Sequence, residues 1–206
     1  MSRLKSAMLP GWPLCMLLII PVNPVIGQSV RINEFNSHSD FVPYSVTDPS
    51  SDWRFAGFDD SDWPESRLPI GADSRTNYAL SKNLSSELYN RASAVFIRKE
   101  VSISEEGAGS RAMLDLWIDY DDGFVLFING VELTRQNVGT TGEIPAYNAL
   151  AGDAHPASND YGNGIDRSEQ FQLGPASEFL RAGVNTIAVQ LHNVSRTSSD
   201  AYLDLR

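Results

Sequence analysis

Between Ala112 and Asn137 the sequence AMLDLWIDYDDGFVLFINGVELTRQN constrains the fold more than any other stretch. Leu114, Leu116 and Ile118 alternate with Asp115, Trp117 and Asp119, the period of two that a half-buried strand requires. Tyr120-Asp121-Asp122-Gly123 then interrupts the run with turn chemistry, since Asp bonds nearby backbone and Gly accepts positive φ. Phe124 to Ile128 resumes as an apolar strand, Asn129-Gly130 supplies a type I′ hairpin turn, and Val131 to Gln136 returns. The expectation is a three-stranded antiparallel meander with the other strands arranged around it.

The other strong strands are Ala94 to Ile103, with Val95, Ile97 and Val101 set against Phe96 and Arg98, and Val184 to His192, with Ile187, Val189 and Leu191 on one face and Ala188, Gln190 and His192 on the other. Ser29 to Phe35 is expected as a first strand, Phe171 to Leu173 as a short one and Ala201 to Leu205 as the last. His38 to Asp62 is too aromatic for disorder and too broken for a helix, and reads as ordered loops pinned by rings. Asp73 to Arg91 reads as a polar surface excursion, and Pro175 to Leu180 as the one short helical turn. Val138 to Asp166 has no periodicity, and a loop of that length in a compact domain is functional or mobile. The fold class expected is all-β: an antiparallel β-sandwich with long end loops.

Residues 1–27 are set apart as an export signal. Arg3 and Lys5 form a positive start, Leu14 to Ile20 is a short apolar core, and Val25-Ile26-Gly27 suits a cut near Gly27. The apolar run is far shorter than the ~20 residues of a bilayer-spanning helix. The secreted, periplasmic or cell-surface chain left after cleavage has no cysteine, because Cys15 is the only one. It carries 14 basic and 26 acidic residues, a formal charge of −12 that repels phosphate backbones and argues against a nucleic-acid partner. Residues 28–52 are expected as a lead-in and 53–206 as the sandwich domain.

Five short motifs stand in order. Trp53 is followed by Phe58-Asp59-Asp60-Ser61-Asp62-Trp63. Next come Phe96-Ile97-Arg98-Lys99, Asp119-Tyr120-Asp121-Asp122-Gly123 with Asn129-Gly130-Val131-Glu132, and Ala182 to Val189. His192 with Ser198-Ser199-Asp200 closes the series. Together they resemble the galactose-binding-like jelly-roll domains found beside glycoside hydrolase catalytic domains and in large bacterial exported proteins. The resemblance implies a jelly-roll sandwich, a non-catalytic role beside further domains, and binding of carbohydrate or another extracellular ligand through end loops. The alternative is an architectural module with no ligand of its own. One departure is Ile70-Gly71-Ala72-Asp73, where that family more often has a Leu-Gly-Tyr-Gly-like turn.

Asp119, Asp121 and Asp122 crowd three carboxylates into four positions and call for a cation. Arg98 and Arg135 are the expected counter-ions, favoured over Ca²⁺ because EF-hand ligand spacing is absent. If Ca²⁺ is bound, Asp119, Asp121 and Asp160 are the candidates, with Asp153, His155, Asn159, Asn163 and Asp166 in the same long loop as further oxygen or nitrogen donors. Asp121, Asp122, Arg135, Asn137, His192, Ser199 and Asp200 fall near strand ends and would line a shared polar pocket if the loops gather there. No catalytic residue is assigned, since His192 with Ser198-Ser199-Asp200 lacks a nucleophile elbow or oxyanion-hole signature. Trp53 and Trp63 are read as core plugs in preference to a sugar-stacking platform.

Overall fold

The computed structural model describes residues 40–75, 77–158 and 167–205. The expected signal and the expected strand Ser29 to Phe35 lie outside them, as do Asn159, Asp160, Asn163 and Asp166. Eleven strands are formed among the described residues. They are β1 (Val42–Ser45), β2 (Glu65–Ser66), β3 (Ile70–Asp73), β4 (Lys82–Asn83), β5 (Ala94–Ile103), β6 (Met113–Asp121), β7 (Gly123–Ile128), β8 (Val131–Gln136), β9 (Glu169–Pro175), β10 (Gly183–His192) and β11 (Asp200–Leu205). One sheet has the order β2-β1-β5-β10-β7-β8 and the other β4-β3-β11-β6-β9. Every pairing is antiparallel except β3 with β4. The all-β sandwich expected from the sequence is the architecture found. β1, inside the expected lead-in, is a working strand of the first sheet through Tyr44 and Ser45 opposite Ile97 and Phe96.

The main core lies between the sheets. Val95, Ile97 and Val101 of β5, Ile187, Val189 and Leu191 of β10 and Phe124, Leu126 and Ile128 of β7 meet Leu114, Leu116, Ile118 and Tyr120 of β6 and Ala201, Leu203 and Leu205 of β11. β5 and β10 pair over ten residues, from Gly183 opposite Ile103 to His192 opposite Ala94. Their opposite faces are also covered. Ala94, Phe96, Val125, Phe127 and Ala188 pack under Trp53, Val138 and the partly buried Phe58 and Trp63. β7 is therefore buried on both faces, which is why it reads as an unbroken apolar run. Trp53 meets Phe96 and Phe127 edge-on at 5.2 and 6.1 Å between ring centroids, each contact adding about 0.5–1.5 kcal/mol beyond area burial. Trp53 is thus a plug of the outer layer, and Trp63 packs edge-on against Phe58.

Three expectations are corrected. β6 and β7 do not form a hairpin: they belong to different sheets, and the chain changes sheet at Asp122. Only β7 and β8 make a hairpin, with Asn129 at φ 52° and Gly130 at φ 83° as a type I′ turn requires. Residues 73–91 are not a surface excursion, because Tyr78, Leu84 and Leu88 are buried there. Among the described residues helical structure amounts to α1 (Ser85–Leu88), α2 (Glu105–Ala108), α3 (Ala176–Phe179) and a 3-10 turn at Ser51–Arg54, against the single turn expected at Pro175 to Leu180. Ser104 starts α2 by accepting from the Gly107 N–H, a local cap that leaves the helix too short to register as a period.

Candidate functional site

The rim where the chain changes sheet gathers most of the residues singled out by sequence. The Asp121–Asp122 peptide is cis. Asp122 is buried, and every polar atom it carries is engaged. Its N–H donates to the His192 carbonyl at 3.2 Å, and its own carbonyl accepts from Asn137 Nδ2 at 3.1 Å. Oδ1 accepts the His155 N–H at 2.9 Å and Oδ2 the Val194 N–H at 2.7 Å. One side chain thus fastens both the loop after β8 and the loop after β10. Asn137 sits in the left-handed region at φ 57° and extends the clamp: its Oδ1 accepts the Asp153 N–H at 3.1 Å and its Nδ2 donates to the Asp153 carbonyl.

Asp119 and Asp121 face outward from the second sheet, beneath a small cluster of Tyr78, Ala157 and Tyr202. Both Asp119 oxygens accept the Ser158 N–H, at 2.9 and 3.2 Å. Asp121 Oδ2 accepts from the Tyr78 hydroxyl at 3.0 Å, while its Oδ1 is buried without a hydrogen-bond partner. Burial, then the neighbouring Asp122 and Asp200, push the Asp121 carboxyl far above the usual carboxylate range. Burial also raises Asp122, opposed by the His155 and Val194 amides. Burial and the neighbouring carboxyls thus favour the neutral form of Asp121, while the His155 and Val194 amides favour the charged form of Asp122.

The expected counter-ions lie elsewhere. Arg98, on the outer face of β5, bonds Asp60 at 3.0 Å, Glu100 at 3.2 Å and the Phe58 and Phe55 carbonyls. Arg135, on β8, makes two 2.7 Å bonds to Glu132 and reaches the Val138 and Glu143 carbonyls. Both project from the first sheet, whereas Asp119 and Asp121 project from the opposite side of the second. No group of three His, Cys, Asp or Glu side chains among the described residues could hold a metal ion.

His192 lies on the outer face of β10, fully buried beneath the loop after β8. A carbonyl can only accept, so Nδ1 carries the hydrogen of the 2.9 Å bond to the Ala149 carbonyl, and Nε2 presents a lone pair with no partner. Burial lowers its pKa to about 4, with Arg135 acting in the same direction and the Ala149 bond against it. Gln190, two residues earlier on the same face, donates to the Pro145 and Ala146 carbonyls at 3.3 and 3.5 Å. Ser198 and Ser199 both donate to Asp200 Oδ1, at 3.0 and 3.2 Å. No hydrogen bond among the described residues joins His192 to Ser198, Ser199 or Asp200, so a Ser–His–Asp relay is not assembled.

Sequence reasoning missed part of this network. Tyr78 gave no signal in a polar stretch. His155 was visible only as one donor among many, yet it stacks on Tyr120 at 4.1 Å and 4°. Its Nδ1 lies 3.0 Å from the Tyr120 carbonyl and its Nε2 3.1 Å from Glu169 Oε1. Both neighbours are acceptors, so only the imidazolium makes both bonds. The Tyr120 hydroxyl donates to the same Glu169 oxygen at 3.1 Å, and burial followed by Glu169 raises that phenol.

No family model and no curated protein matches the chain. Solved structures similar to it are glycoside hydrolase chains. Bacteroides uniformis beta-glucuronidase 2 covalently bound to cyclophellitol-6-carboxylate aziridine is 14% identical at a TM-score of 0.45, over 80% of this chain and 17% of that one. A glycosyl hydrolase family 2 member from Bacteroides cellulosilyticus is 14% identical at 0.41, over 81% and 20%. A beta-glucuronidase of an uncultured Clostridium sp. is 11% identical at 0.40, over 74% and 21%. The chain spans about a fifth of the length of these proteins. Its fold stands on the strand pairing above and its site on its own atoms. No helix among the described residues is long and apolar enough to cross a membrane.

Proposed function

We propose that this chain is a non-catalytic β-sandwich module of galactose-binding-like type that works beside further domains of an exported protein and binds carbohydrate. One observation carries the non-catalytic part: the polar groups that could have done chemistry are spent on the protein's own loops. Asp122 has both oxygens on backbone amides, Asn137 is bound on both ends of its amide, and His192 holds Ala149 under burial. General acid–base work requires a titratable group within reach of a substrate proton, and glycoside hydrolysis requires two carboxyls ~5–9 Å apart across a cleft. Adjacent buried carboxyls at a chain crossing supply neither. These residues are loop fasteners, and ligand contact falls to side chains that face solvent.

Export rests on residues 1–27, and the carbohydrate class on the five motifs. The architectural alternative is favoured by the same saturation of the rim, and polysaccharide binding separates the two. The catalytic question has its own test. The full chain is incubated with aryl glycosides, a generic ester and an aryl phosphate, and no turnover is expected. Turnover that disappears in Asp122→Asn or His192→Gln while the fold persists would sink the reading.

A further inference from the structure

Among the described residues, the outward face of the second sheet is covered over only half its length. On β6, Asp119 and Asp121 lie under Ser158 and Tyr78, but Met113, Asp115 and Trp117 precede that cover. Trp117 is 46% exposed and Met113 36%, on either side of a register shift in the β6–β9 pairing between Leu114 and Asp115. Edge strand β9 runs alongside, with exposed Gln170 opposite Trp117 and exposed Gln172 opposite Asp115. Directly opposite residues in an antiparallel pair bring their Cβ atoms within about 5.5 Å, so the indole is flanked by amides. Among the described residues the result is a flat shelf with one ring and two primary amides, bounded by the 156–158 segment and open along the β9 edge. Asp115 is half-buried in it, with Oδ1 buried and without a hydrogen-bond partner among the described residues, so only its other oxygen can face a ligand.

Folding gives no reason for an indole here. The inward residues Leu116 and Ile118 supply the core from this strand, and the other outward positions of β6 nearest to Trp117 are both Asp. Three properties of the shelf identify what it suits. A flat aromatic face next to side chains that both donate and accept matches a pyranose, which has a CH-rich face and an edge of hydroxyls. Its apolar part is one indole and one thioether, far below the ~800 Å² per partner of a stable protein interface. No basic residue occupies any β6–β9 register position, and the chain carries a formal charge of −10, so an anionic sugar is disfavoured.

We propose that Trp117, with Gln170, Gln172 and Asp115, forms a platform for neutral pyranose units of a polysaccharide, on the sheet face and away from the end loops. Met113 and Trp117 are four residues apart, roughly 13 Å along the strand, so the shelf takes an internal stretch of polymer. The site rests on the carbohydrate-binding reading above and supplies its location.

The test is affinity electrophoresis of the full chain in gels containing barley β-glucan, xylan, galactan or galactomannan, with polygalacturonate as the acidic polymer. Retardation by at least one neutral polymer is expected. Trp117→Ala should weaken it at least tenfold, with the melting temperature within about 2 °C of the parent because the ring faces water. Trp117→Tyr should retain most of the affinity, and Gln170→Ala should lose about three- to tenfold without a change in melting. Parental retardation unchanged in Trp117→Ala overturns the platform but leaves carbohydrate binding standing elsewhere. No retardation by any neutral polymer overturns both. Stronger retardation by polygalacturonate overturns the neutral-sugar assignment.

Discussion

Replacing Asp122 with Ala removes two acceptors at once and leaves the His155 and Val194 amides without partners, one in each of two loops. Hydrogen bonds to a charged acceptor contribute about 1.5–3 kcal/mol each, and an orphaned buried donor costs a similar amount. Part of this is offset, because burial disfavours the Asp122 carboxylate and its removal recovers that penalty. The net expectation is a loss of about 2–5 kcal/mol. For a chain of this size, 1 kcal/mol corresponds to roughly 2–4 °C, so the melting temperature should fall by about 5–15 °C. Asp122→Asn keeps one acceptor but sets an amide N–H against the second donor, and should lie between Ala and the parent. Urea denaturation gives the free energy, and hydrogen exchange at His155 and Val194 shows whether both loops are released together. An Asp122→Ala protein that melts within 2 °C of the parent, or that loses protection in only one loop, would refute the clamp.

Burial holds Asp121 in its neutral form, so its contribution is present below the unfolded carboxyl pKa of ~3.9 and is lost as pH rises towards its raised folded value. Asp121→Asn should flatten that decline and be more stable than the parent at pH 8, read as urea midpoints across pH 5–9. His192 has the opposite sign: its folded pKa of about 4 lies below the unfolded ~6.5, so stability is complete above 6.5 and falls as pH drops towards 4, by up to roughly 3 kcal/mol. His192→Gln should reduce that acid-side slope, and where the windows overlap the parent should titrate less steeply than the Asp121→Asn protein. Gly71→Ala would place a Cβ 2.0 Å from the Ala201 carbonyl oxygen, a backbone atom of the paired strand, and should cost at least about 3 kcal/mol by denaturant unfolding. Arg98→Ala removes a fully buried cation and its bonds to two carbonyls, but Asp60 and Glu100 are partly exposed and rehydrate, so the cost should be about 1.5–3 kcal/mol, measured the same way.

The sandwich was legible where local chemistry and tertiary need coincide. Asn129-Gly130 must turn because both residues adopt positive φ at low cost, and β10 sets Ile187, Val189 and Leu191 at every second position because that face lies on the main core. Tyr120 to Gly123 was misread because a tight turn within one sheet and a passage between two sheets use the same residues. What separates them is which partners β6 finds, and those are β9 and β11, some fifty and eighty residues further on. The Arg98 and Arg135 pairings were hidden for a related reason: charge counting sees that a cation is available, not the side of the sheet from which it projects. Trp117 was legible as an outward residue and passed over, because alternation marks a face without saying whether loops cover it.

The passage at Asp122 also governs how the two layers can part. There the polypeptide changes sheet within one residue, with no slack. At the far rim the changes of sheet run through residues 104–112 and 176–182, which carry α2 and α3. The molecule is therefore bound like a book, its spine at the carboxylate rim, and thermal opening should start at the fore-edge, where the small helices sit.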